Sequence, residues 1–214
     1  MPRDPQRAQE ASARKEAMRL QKRSASHQPV AHGAGGLRQA GSWPLYEVLL
    51  SEQWEDPETL VSILVSRRSP QGKIAAAAFL VDLACLGVKS ATARIYKSWH
   101  DYEIDMRERI TSAQPMKPAS LNLVARIIAA GVEYAQRLGI DPDPVYHQAK
   151  LLLADADPEA SSVDIPLGGP EGKPLFVAGP YDNVPLIMAK LTRAVGTDGF
   201  DYLIATGPDA FDEP

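Results

Sequence analysis

The chain has 214 residues, 44% of them hydrophobic, and a formal net charge of −4, which suits one folded domain with a sizeable core. No apolar run reaches the roughly 18–20 residues that span a bilayer, and the N-terminal residues lack the apolar segment of a secretory signal, so neither membrane insertion nor export is expected. The single cysteine, Cys85, rules out an internal disulfide framework and fits a reducing compartment, so a cytoplasmic protein is expected.

The net charge hides an asymmetry. Residues 1–42 hold eight Lys/Arg against three acids, whereas the rest hold 15 against 24. Arg14, Lys15, Arg19, Lys22 and Arg23 are the densest part of this basic arm. Two readings stay open for it: contact with nucleic acid or another polyanion, or a solubilising tail that lies against its own acidic body. Residues 9–21 have helical propensity but too few large apolar side chains to dock. Residues 27–41 are rich in Gly, Ala and His and read as a flexible link. The expected organisation is a disordered basic arm and linker over 1–42, a single domain over 43–206, and a loose acidic tail over 207–214.

Residues 45–51 are apolar around Glu47 and predict a strand. Over 60–68, Val61, Ile63 and Val65 alternate with Ser62 and Ser66, a second strand. Ser69-Pro70-Gln71-Gly72 suits a type I turn with a left-handed glycine, so residue 73 onward should return antiparallel. Residues 74–86 are apolar except for Asp82. Their four alanines and Gly87 also fit a capped helix, but the turn before them favours a strand. Residues 88–97 predict a fourth strand, with Val88, Ser90, Thr92, Arg94 and Tyr96 on one face and Ala91, Ala93 and Ile95 on the other. A helix over 99–110 carries Trp99, Tyr102, Met106 and Ile110 on one stripe.

Ser120 caps the next helix, whose stripe runs Leu123, Val124, Ile127, Ile128, Gly131, Tyr134, Ala135 and Leu138 before Gly139 stops it. Gly131 lies on the stripe, so another backbone should approach closely there. Asp143 and Pro144 open a third helix running to about residue 153. Residues 163–167 suggest a short strand. Residues 175–178 predict a short buried strand, 179–182 a sharp turn, 184–195 a helix capped by Asp182 or Asn183, and 200–205 a last strand. Strands followed by helices predict an α+β fold: an antiparallel β-meander packed by helices on one face, with a C-terminal strand–helix–strand unit.

No P-loop, dinucleotide fingerprint, zinc pattern or nucleophile elbow occurs, and no motif names a cofactor. The sharpest site is Asp82. A carboxylate in an oily segment must find a partner, reach a cleft or hold a proton. Asp82 with Glu47 and Lys89 is the first candidate set, because carboxylates from adjacent strands can bind a divalent metal or act as an acid–base pair; the plainer alternative is that Asp82 ends its strand and caps or salt-bridges locally, to Lys89 or Arg94. Cys85 has apolar neighbours, which make a thiol inert. The turn at Gly179-Pro-Tyr181-Asp182-Asn183 offers free backbone N–H groups at a helix start, although Asp182 would itself occupy them as a cap. His147, near the start of a helix, is a candidate base or ligand, against an ordinary surface histidine; His100 is in the same position. Trp43, Trp54 and Trp99 have no spacing of a base-stacking platform and read as packing.

The phrases Val-Ser-Arg-Arg-Ser-Pro-Gln-Gly-Lys-Ile at 65–74, Phe-Leu-Val-Asp-Leu-Ala-Cys-Leu-Gly-Val-Lys at 79–89 and Gly-Lys-Pro-Leu-Phe-Val-Ala-Gly-Pro-Tyr-Asp-Asn-Val at 172–184, with Ser-Glu at 51–52, resemble a family of uncharacterised bacterial proteins. The resemblance covers residues 43–205. It implies a soluble α+β domain and carries over no catalytic residue.

Two functions follow. The first is a non-catalytic binding or adaptor module, meeting a protein partner through its acidic body while the basic arm contacts nucleic acid or a partner and steers assembly. The second is a metal-dependent phosphodiester hydrolase around Asp82, which requires at least three convergent acids. Scarce histidines and the charged arm favour the first.

Overall fold

The computed structural model describes residues 34–56, 59–169, 171–179 and 182–203. The expectations for the arm, including Arg14, Lys15, Arg19, Lys22 and Arg23, and those for Tyr181 and the 207–214 tail lie outside the described residues.

The described residues form an α+β fold. Five strands, β1 (Leu45–Ser51), β2 (Val61–Arg68), β3 (Ile74–Asp82), β4 (Gly87–Tyr96) and β5 (Met116–Pro118), make one antiparallel sheet in the order β4-β3-β2-β1-β5. The β2–β3 hairpin closes as its turn residues dictate. Gly72 sits at φ 83°, the Gly72 N–H donates to the Ser69 carbonyl at 3.0 Å, and the Ser69 hydroxyl accepts from the Lys73 N–H at 3.1 Å. The strand reading of 74–86 holds as far as Asp82. Residues 83–86 then turn tightly into β4.

Both faces of the sheet are buried, which is why β3 reads as a continuous oily run. One face, carrying Ile63, Val65, Ala77, Phe79 and Val81, packs on α4 (Leu121–Arg137) through Val124, Ile127 and Ile128. Burying each of these helix side chains contributes about 1.5–3 kcal/mol. Helices therefore lie on this face as expected, but not on it alone. The segment formed by α2 (Trp99–Tyr102), a π-turn (Glu103–Arg107) and α3 (Glu108–Thr111) covers the other face, where Tyr102 and Met106 meet Leu64, Ile74, Ala76 and Tyr96. Trp99, expected on the buried stripe, is exposed, because the packed stripe starts at Tyr102.

Other expectations need correction. Residues 34–42 are not a free link: α1 (Ala34–Ala40) buries Leu37 and Ala40 in the main core, so the folded body begins before residue 43. Residues 116–118, for which no strand is expected, pair with β1 as β5 (Met116–Pro118). The third helix is one α-turn, α5 (Tyr146–Ala149), which tightens into a 3-10 turn at Lys150–Leu153. Residues 163–167 form no strand. The C-terminal unit is as expected: β6 (Leu175–Val177), α6 (Val184–Val195) and β7 (Asp201–Leu203), with β6 and β7 parallel.

The close approach at Gly131 is realised. A Cβ there would meet Val81 Cγ1 at 2.9 Å and the Gly87 Cα at 3.8 Å. Gly87 faces back, at φ +66°, with room for no side chain between it and Ala135. α4 thus lies directly on the end of the β3–β4 hairpin. The hairpin tip joins two cores, because Leu83 belongs to the main core while Cys85 and Leu86 enter a second one with Ala135, Phe176 and Leu191.

Candidate functional site

Asp82 occupies the last position of β3, where the chain must reverse. Its Oδ1 accepts a hydrogen bond from the Cys85 N–H at 2.9 Å, so the side chain caps the turn that the backbone cannot satisfy alone. The residue is 5% exposed. Burial raises its pKa above the ordinary carboxylate value; the Cys85 N–H, the Lys89 ammonium and the Leu86 and Ala84 N–H groups act the other way. The turn's carbonyls reach outward. Leu83 accepts from the Gly168 N–H and Ala84 from the Leu175 N–H, at 3.0 and 3.1 Å, fastening β6 to the hairpin tip.

Lys89 arrives at this place through a β-bulge. Val88 pairs with Val81 and Ser90 with Leu80, which leaves Lys89 as the extra residue. The bulge reverses the expected alternation: Val88 joins the core with Ala91 instead of sharing a face with Ser90. It also frees Lys89 to reach Asp182, whose Oδ2 it meets at 2.6 Å. The same oxygen accepts from the Gly179 N–H at 2.8 Å. Of the two caps expected, Asn183 is the one used: it caps α6 by accepting from the Leu186 N–H, while Asp182 is taken by Lys89 and Gly179.

Asp82 and Lys89 line a cavity of about 250 Å³. Thr59 and Leu60 enclose it from the β1–β2 loop, and Leu175 and Val177 from β6. The walls are apolar apart from the carboxylate, the ammonium and one hydroxyl. Thr59, Leu60, Leu175 and Val177 escaped the sequence reading, because nothing local marks residues 115 or more positions apart as neighbours.

The remaining candidates lie elsewhere. Glu47 accepts from the Tyr102 hydroxyl at 2.5 Å and from Arg107 at 3.1 Å. It pairs through Ser66 to Ala76, six residues from Asp82 along β3, or about 20 Å at a strand's rise. Glu47 and Asp82 cannot share a metal. Among the described residues no three His, Cys, Asp or Glu side chains form a group that could hold a metal ion, so the convergent acids required by the hydrolase expectation are not found there. His147 is exposed, its ring tilted by 58° against that of Tyr146 with centroids 5.4 Å apart, and it lies outside the Asp82 cavity. His100 is likewise exposed. Burial, with the Asp82 charge beside it, pushes the Cys85 thiol up to about 12, so it stays protonated and inert near neutrality.

A second cavity of about 290 Å³ opens on the far sheet face, beside the Arg94–Asp105 ion pair and Arg109. Asp105 also accepts from the Tyr96 hydroxyl at 2.8 Å. This network holds α2, the π-turn and α3 against the sheet.

No known family model matches the chain, and neither a curated protein nor a solved structure does. No helix among the described residues is long and apolar enough to cross a membrane.

Proposed function

We propose that this chain is a cytoplasmic, non-catalytic binding module whose basic leader contacts nucleic acid and whose acidic body meets a protein partner. The observation that carries this reading is that the groups a reaction would need are committed to structural partners. Glu47 is held by Tyr102 and Arg107, Asp82 by the hairpin-tip backbone, and Asp182 by Lys89 and Gly179. The one thiol is buried and protonated. The charge division supports the leader's role. Residues 1–33 hold seven Lys/Arg against three acids, and residues 34–214 hold 16 against 24. A leader of one sign on a body of the other is drawn to a polyanion that the body itself repels.

The test is fluorescence anisotropy of a labelled oligonucleotide with the full chain, over a series of salt concentrations. Binding should weaken with salt along a log–log slope no steeper than about −6, the limit set by seven phosphate contacts. Changing Arg14, Lys15, Arg19, Lys22 and Arg23 together to Gln should cost more than tenfold in affinity and flatten that slope. Equal binding by the changed chain, or metal-dependent cleavage of a phosphodiester, overturns the proposal.

A further inference from the structure

The cavity on the far sheet face is lined by charges that do not cancel. Ala78 and Thr92, cross-strand partners on β3 and β4, form its floor. Ala75, Ala76 and Ala77 are wholly buried, whereas Ala78 is not, because the cavity opens over it. Three charged groups line the space. Arg94 Nη1 meets Asp105 Oδ2 at 2.7 Å, and the same oxygen accepts from the Tyr96 hydroxyl at 2.8 Å, so this acid is committed to the fold. Arg109, the third, forms no ion pair among the described residues. The lining therefore carries one positive charge in excess, and its guanidinium is free to take a ligand.

We propose that this cavity binds a small monocarboxylate, its carboxylate against the Arg109 guanidinium with Arg94 beside it, and its short carbon body against Ala78, Met106 and Ile110. The charge sets the class: a single excess positive charge suits a monoanion, and a cation entering the space would meet Arg109 directly. The planar fork of an arginine matches the two oxygens of a carboxylate. The apolar part of the lining, Ala78, Met106 and Ile110, calls for carbon on the ligand, which a bare inorganic anion lacks. The volume sets the size. About 290 Å³ lies just below the range of about 300–1,000 Å³ for sites that take drug-sized molecules, so the ligand has only a few carbons. The site belongs to the folded body, and it stands or falls independently of nucleic-acid binding by the leader.

The experiment is isothermal titration calorimetry of the full chain at low salt with sodium butyrate, butyramide, n-butylammonium chloride and sodium phosphate. Saturable binding is expected for butyrate, about tenfold or more tighter than for the isosteric neutral butyramide, with no saturation by butylammonium and weaker binding of phosphate. Arg109 is exposed, so Arg109→Gln should keep the fold and lower butyrate affinity by about tenfold or more. Changing Arg14, Lys15, Arg19, Lys22 and Arg23 together to Gln should leave butyrate affinity unchanged, which separates this site from the leader's charge. Thr92→Phe, which fills the cavity from the edge strand β4, should abolish binding; if it does not fold by circular dichroism, Arg109→Gln decides alone. No saturable butyrate binding, binding undiminished in Arg109→Gln or in folded Thr92→Phe, loss of binding in the leader variant, or butyramide, butylammonium or phosphate binding as tightly as butyrate overturns the proposal.

Discussion

Lys89 Nζ lies 2.6 Å from Asp182 Oδ2, an ion pair that joins residues 93 positions apart and ties the bulge in β4 to the turn that opens α6. Both side chains are largely shielded, at 19% and 10% exposure, so the pair is not a screened surface contact. Its Lys89 lines the cavity beneath the hairpin tip, and the pair is the one side-chain charge link there between the sheet and β6–α6–β7 among the described residues.

A double-mutant cycle on this pair should therefore register. Lys89→Met leaves two carboxylates near one another without a cation, whereas Asp182→Asn leaves the ammonium with Asp82 still beside it. The Lys89 change should be the more destabilising. The coupling energy from urea denaturation should fall between about 0.5 and 3 kcal/mol. A value near zero would show that the two groups are held close by the backbone alone.

Asp82 gives a pH dependence with a defined sign. Its pKa is raised in the folded chain, chiefly by burial, so the folded state holds this proton to higher pH than the unfolded state does. Between the ordinary carboxylate value and the raised one, the folded state binds more protons, and stability falls as pH rises. Asn carries the same acceptor for the Cys85 N–H and has no charge. The stability of Asp82→Asn relative to the parent should grow as pH rises through that window and be smallest below it. Melting temperatures of both proteins from pH 3 to pH 8 check this; a gap that narrows with rising pH would contradict the burial argument.

The contact between Gly87 and Gly131 predicts an order of damage. Gly87→Ala forces a side chain onto a left-handed backbone and into Ala135 Cβ at 2.7 Å and the Gly131 carbonyl at 2.8 Å. Strain and overpacking together should cost about 2–4 kcal/mol. Gly131→Ala presses on the Val81 methyl but improves helix propensity by about 1 kcal/mol, so its net cost should be smaller. Denaturant midpoints that ranked the two the other way would mean that α4 does not rest on the hairpin end as described.

Arg67 is buried at 2% exposure and donates to the Leu152 and Trp43 carbonyls, both at 2.8 Å, while pairing with Asp155. Asp155 is 63% exposed. Arg67→Met leaves two carbonyls without their donor and should cost about 2–4 kcal/mol. Asp155→Asn removes only the solvent-screened partner and should cost less than about 1 kcal/mol. Chemical denaturation of the two variants separates the roles; similar losses would show that the ion pair, not the carbonyl bonds, anchors the 3-10 turn at Lys150–Leu153.

The readings that succeeded rested on neighbours in sequence. Ser69-Pro70-Gln71-Gly72 specified its turn, Ser120 and the apolar spacing after it specified α4, and the small residue on that helix's buried stripe marked the contact with Gly87. The need of Asp82 for a partner was also legible, because an isolated carboxylate in an apolar run is costly wherever the chain goes. What escaped was set by distant residues. Leu37 looked like part of a link until the core it enters was in place. Glu47 looked available until Tyr102 and Arg107 folded over it from the opposite face.

The sequence by itself determined β1 to β4, the long helix, the turn between β2 and β3 and the burial of an acid at residue 82, because backbone preference, capping and apolar periodicity act over a few residues. Only the tertiary structure decided that a bulge would turn Val88 out of its expected alternation and free Lys89, that Asp182 would meet Lys89, and that Leu60 and Leu175 would close a cavity beside Asp82. Those contacts arise from strand register and chain path, and no short stretch of the chain carries that information.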